Sequence, residues 1–122
     1  MTSNIRTLEQ QRALRAFQLV TSVGEETRDK YKSHVKSIPA LIQSNGLGQT
    51  LAFFKSKSDY RLIYDHLQQN LKDTGIIRED ALKEIMDMDI RKYMWASAET
   101  LRFVNWLRRF VDSELGTGKT KK

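Results

Sequence analysis

The chain has 122 residues, with 21 Lys and Arg against 15 Asp and Glu and no cysteine. One domain of this length buries roughly two-thirds of its unfolded surface unaided, and the lack of cysteine excludes structural disulfides and thiolate metal sites. No apolar run approaches the ~20 residues that span a bilayer, and the first residues lack the apolar core of a signal peptide, so a cytoplasmic location is expected.

Asn4 is placed to cap a first helix over residues 5–23, with Glu9 in its early turns. Leu8, Ala13, Ala16, Phe17 and Val20 form its apolar stripe, and Gly24 closes it. A second helix is predicted over 25–36, with Tyr31 and Val35 toward the core. Its Arg28, Lys32 and Lys36 recur at i, i+4 and i+8 and share one face. Pro39 is the only proline and biases its predecessor away from helix, so a break is predicted near Ser37 or Ile38. Pro39 then opens a third helix that ends at Asn45-Gly46, where a glycine adopts a left-handed cap without steric cost. Leu47, Leu51, Phe53 and Phe54 carry the apolar pattern into a fourth segment. Ser58 or Asp59 caps a fifth helix carrying Tyr60, Leu62, Ile63, Leu67 and Leu71, closed by Gly75.

A short helix follows over 80–86, then a long last helix over 89–115, about 39 Å at the rise of an α-helix. Between Leu101 and Val111 its apolar residues point nearly all round, which marks a helix buried by several neighbours. The pattern predicts an all-α fold: a single compact bundle of about six helices over 1–115, with a long, buried C-terminal helix. Residues 116–122 form a basic tail expected to be disordered.

Residues 1–58 carry nine basic and four acidic side chains, and residues 59–115 nine basic and eleven acidic. The first half and the tail are therefore basic. Such asymmetry suits one surface that meets a polyanion, and equally a face kept soluble by lysine. The candidate nucleic-acid contacts are Arg12 and Arg15 on the first helix, Arg28, Lys32 and Lys36 on the second, and Lys55 and Lys57 past the corner. Arg102, Arg108 and Arg109 on the last helix are expected to reach out at its edge or to pair with carboxylates.

Catalytic patterns fare less well. Gly118-Lys119-Thr120 ends like a phosphate loop, but Ser113 stands where the first glycine belongs and a helix precedes it. His34 and His66 have no ligand partners at metal spacing. Asp87 and Asp89 point to different faces of a helix and suit capping of the last one. Ser44 and Asn45 lack the companions of a nucleophile. No enzyme activity, metal or cofactor is expected. The segments around Gly46 also have the outline of a helix-turn-helix, but Leu51, Ala52, Phe53 and Phe54 make its reading helix too apolar for base edges.

At these residues the chain resembles the small subunit of the type III-B (Cmr) CRISPR effector complex. The resemblance rests on Pro39, Leu41 and Ile42, and on the core Gly46, Leu47, Gln49, Leu51, Ala52 and Phe53. Tyr93 and Glu99 follow, then the run Trp106, Leu107, Arg108, Arg109 and Phe110. It extends over nearly the whole chain to Leu115. It implies an all-α subunit without catalytic activity, whose copies stack along a filament that carries the guide RNA and line the channel for target RNA. Its partners would be the other subunits of that complex, and the motif residues would be mostly core. A helical adaptor that binds only protein is the alternative, with a DNA-binding regulator behind it.

Overall fold

The computed structural model describes residues 6–115. Among them stand five α-helices: α1 (Leu8–Thr21), α2 (Arg28–Ser56), α3 (Arg61–Asp73), α4 (Ala81–Asp87) and α5 (Ile90–Glu114). Short 3-10 turns at Glu25–Thr27 and Ser58–Tyr60 lead into α2 and α3. The all-α fold expected from the sequence is borne out, with one helix fewer than the six anticipated.

The first helix starts later than residue 5. Thr7 and Gln10 form a reciprocal capping box: the Gln10 N–H donates to Thr7 Oγ1 at 3.0 Å and the Thr7 N–H to Gln10 Oε1 at 2.9 Å. Asn4, the expected cap, lies outside the described residues. Gly24 does not close α1, which ends at Thr21 with Ser22 as its cap. Gly24 sits instead at the start of the 3-10 turn with an ordinary φ of −69°. The buried stripe of α1 is also rotated from the expected one. Arg12, Ala16 and Val20 face inward, while Leu8 is 72% exposed.

The break expected before Pro39 is absent, and α2 runs straight through it. Proline removes one backbone donor and crowds the carbonyl four residues earlier. Here Val35, Ile38 and Ile42 bury one continuous face across that position, and packing outweighs the local penalty. The corner falls at Gly46, whose φ of 86° and ψ of 162° lie in a region that only glycine visits easily. The backbone there is extended rather than left-handed helical, so Gly46 kinks α2 instead of capping it.

Neither Ser58 nor Asp59 caps α3, which starts at Arg61 with Tyr60 at its N-cap and no side-chain cap, because the chain enters it through the 3-10 turn. Gly75, at φ 82°, ends α3 in a Schellman motif: its N–H donates to the Lys72 carbonyl, and the Ile76 N–H to the Leu71 carbonyl, each at 3.0 Å. Asp80 caps α4. Asp89 caps α5, accepting from the Lys92 N–H at 2.9 Å.

Helix α5 packs against α1, α2 and α3 and is the centre of the bundle. Phe103, Val104, Leu107 and Val111 are fully buried, and each such side chain contributes about 1.5–3 kcal/mol of transfer free energy. It is not apolar all round, however. Trp106 and Phe110 are only half-buried, and Arg102, Asn105, Arg108 and Arg109 form an exposed stripe. Among the motif residues, Leu47 and Leu51 are core, whereas Pro39 and Gly46 are half-buried and Arg109 is exposed. Phe53 is 38% exposed, because its neighbour Phe54 takes the inward position; its ring lies 5.0 Å from that of Tyr60.

Candidate nucleic-acid interface

Helices α2 and α5 lie side by side, and their charged stripes meet. Lys36 of α2 reaches Asp112 of α5 at 3.0 Å. Around this pair lies a cleft of about 560 Å³ lined by Lys36, Asn105, Arg108, Arg109 and Asp112. The Asp112 carboxyl is held below its usual range, first by the hydrogen bond from Lys36, then by the charges of Lys36, Lys32 and Arg108. Asn105 and Arg109 also wall a second cleft of about 410 Å³ with Glu9, Arg102 and Trp106. The two clefts therefore share one wall. Together they make a strip of five cations, Lys32, Lys36, Arg102, Arg108 and Arg109, with Glu9 and Asp112 as the carboxylates in its lining.

The structure keeps part of the expected set and redistributes the rest. Lys32 and Lys36 stand on the strip. Arg28 is half-buried on their face of α2, and its Nε makes no hydrogen bond to the described residues.

Arg12 and Arg15 turn inward. Arg12 is 6% exposed and grips Glu99 of α5 with two hydrogen bonds, of 2.9 and 2.8 Å. Its remaining terminal nitrogen reaches Glu9 at 2.8 Å. Arg15 donates to Asn70 at 2.8 Å, and Asn70 donates to Glu99 at 3.0 Å. Burial alone would raise the Glu99 carboxyl, but the Arg12 and Asn70 hydrogen bonds and the charges of Arg12 and Arg15 hold it low. This cluster joins α1, α3 and α5 and removes Arg12 from any surface. The cause is the rotation of the α1 stripe, which places an arginine where the sequence pattern expects an apolar residue.

Lys55 and Lys57 lie beyond the Gly46 corner. Lys55 pairs with Asp80 at 3.4 Å, and Lys57 stands 5.9 Å from the Phe53 ring centre. The seven expected contacts therefore do not form one groove. The arginines of α5 complete the strip instead, and their signal was present: Arg102, Asn105 and Arg109 recur at i, i+3 and i+7, the spacing of one helical face.

Elsewhere the polar groups are structural. Tyr31 and His66 share a buried hydrogen bond of 2.6 Å, and burial pushes the His66 imidazole down to about 4. His34 stacks on Tyr60 at 3.7 Å. Glu84 accepts backbone N–H groups from Arg78, Glu79 and Asp80 and so closes the loop before α4. Among the described residues no group of three or more His, Cys, Asp or Glu is placed to hold a metal ion, and no helix is long and apolar enough to cross a membrane. The phosphate-loop-like Gly118-Lys119-Thr120 lies outside the described residues.

Comparison with known proteins agrees with the sequence resemblance. The profile of the family described as CRISPR-associated protein (Cas_Cmr5) matches residues 8–114. The chain is 32% identical over 116 residues to the CRISPR system Cmr subunit Cmr5 of Thermotoga maritima, covering 92% of this chain and 88% of that protein. It is 27% identical over 114 residues to the Cmr subunit Cmr5 of Thermus thermophilus, covering 89% and 96%. The crystal structure of a CRISPR-associated Cmr5 family protein from Thermus thermophilus superposes with a TM-score of 0.75 at 25% identity, over 89% of this chain and 97% of that one.

Proposed function

The chain belongs to the Cmr5 family of CRISPR-associated proteins, and from that membership we propose that it serves the Cmr complex as a non-catalytic subunit that touches the target RNA. As a Cmr subunit in CRISPR defence, it has the other Cmr subunits as partners. Further copies of itself, side by side along the filament that carries the guide RNA, complete the arrangement proposed.

The observation that carries the RNA contact is the α2–α5 strip. Four cations, Lys32, Lys36, Arg108 and Arg109, gather at one cleft around a single carboxylate. Neutralising phosphates is sequence-independent, which fits a subunit that leaves sequence to the base pairing of the guide. The absence of catalysis is supported by where the buried ionisable groups are spent: Arg12, Glu99 and His66 all face partners inside the bundle. Contact with neighbouring subunits is supported by Met86, Ile90 and Met94, which leave apolar surface open where α4 meets α5.

The test is charge reversal in the assembled complex. Lys32→Glu, Lys36→Glu and Arg108→Glu together should weaken target-RNA capture about tenfold or more at moderate salt and leave the melting of the isolated chain unchanged. Unaltered capture would return the chain to the reading of a protein-only adaptor.

A further inference from the structure

The α2–α5 cleft contains its own anion. Asp112 sits one helical turn beyond Arg108 on α5 and closes on the Lys36 ammonium at 3.0 Å. Arg108 and Arg109 line the same cleft with Asn105, and Lys32 stands one turn before Lys36 on α2. The pair is no core contact, since the Asp112 side chain is 61% exposed and that of Lys36 51%. Exposed pairs of this kind add little to stability, so folding does not explain a carboxylate among these cations. A carboxylate oxygen and a phosphate oxygen make the same charge-assisted hydrogen bond to an ammonium. Arg108, one turn away on the same face, can then hold a second oxygen.

We infer that Asp112 is an internal competitor for a phosphate subsite made by Lys36 and Arg108, holding the lysine until a phosphodiester of the bound strand displaces it. This rests on reading the cleft as an RNA contact. Displacement lowers the affinity of each subunit for RNA. It also leaves a carboxylate beside the bound phosphate, and that repulsion favours release. Lys36 keeps an anion in both states.

The experiment titrates the full chain into a short fluorescent single-stranded RNA of mixed sequence, across a salt series. Asp112→Asn should bind about fivefold more tightly at low salt, with the slope of log K against log salt steeper by about 0.7, as for one more phosphate neutralised on a single strand. Glu114→Gln removes the same charge two residues away and should give less than half that gain in log K. In a Lys36→Gln background the Asp112→Asn gain should vanish. Equal gains from Asp112→Asn and Glu114→Gln would reduce the effect to net charge and overturn the assignment. If Lys36→Glu with Arg108→Glu abolishes binding while Asp112→Asn matches the parent, the cleft is an RNA contact but Asp112 does not compete there. If the double reversal leaves binding intact, the cleft reading itself falls. Inorganic phosphate that displaces the RNA at constant ionic strength would assign the subsite to a free anion instead.

Discussion

At the scale of single residues, His66 fixes how the fold responds to acid. Its imidazole is 5% exposed, bonded to the Tyr31 hydroxyl, and pushed down to about 4 by burial. Burial also pushes the Tyr31 phenol up, so both partners stay neutral at physiological pH. The unfolded chain takes up a proton near pH 6.5, whereas the folded chain refuses it until about pH 4. The stability due to neutral His66 is therefore complete above pH 6.5 and drains away as pH falls through that window. The full loss is about 3 kcal/mol. Urea unfolding of the parent should show this decline, and His66→Gln should flatten it. A parent profile that stays level between pH 6.5 and 4 would contradict the buried neutral imidazole.

At the scale of elements, two glycines two residues apart predict opposite outcomes. Gly46 has a φ of 86°, and a Cβ there would stand 3.3 Å from the Tyr93 hydroxyl. Gly46→Ala should cost about 2 kcal/mol, mostly backbone strain. Gly48 lies inside the second arm of α2, where a Cβ would meet Ile85 and Tyr93 at an ordinary 3.7 Å. Gly48→Ala should be neutral or stabilise by up to about 1 kcal/mol, by removing freedom from the unfolded chain. Thermal melts of the two variants decide the matter, and equal effects would remove the kink as their cause. The same corner shows what local sequence carries. Gly75, Asp80 and Asp89 cap or close their helices as their chemistry dictates, because caps are settled within a few residues, and Gly46 marks the corner as a kink rather than a left-handed cap. Pro39 does not break its helix, because the burial of Val35, Ile38 and Ile42 is a tertiary fact. The capping box at Thr7 and Gln10 was legible, but the expected start at Asn4 drew the boundary away from it.

At the scale of the molecule, charge placement predicts a weak and salt-sensitive partner for RNA. Neutralising three or four phosphates on a single strand gives a slope of log K against log salt of about −2 to −3. The isolated chain should show that slope in an anisotropy titration, with affinity rising steeply once several copies share one strand. A salt-independent affinity would point to stacking or protein contact instead. Which cations form the strip was only half legible. Lys32 and Lys36 could be placed by helical spacing, and Arg102 and Arg109 of α5 share a face with Asn105 at i, i+7 and i+3. The misjudged residue was Arg12, since a charge on an apolar stripe looks like surface until Glu99, 87 residues later, is brought against it. The family was legible through the order of its apolar motifs, even though Phe53 and Arg109, two of its residues, lie at the surface.

That separation of 87 residues between Arg12 and Glu99 also sets the order of assembly during synthesis. Among the described residues, the first helix in sequence docks on the last. Until α5 has left the ribosome, α1 has neither the carboxylate for its inward arginine nor the helix against which its buried face packs. The nascent chain can pair α2 with α3, but closure of the bundle waits for α5.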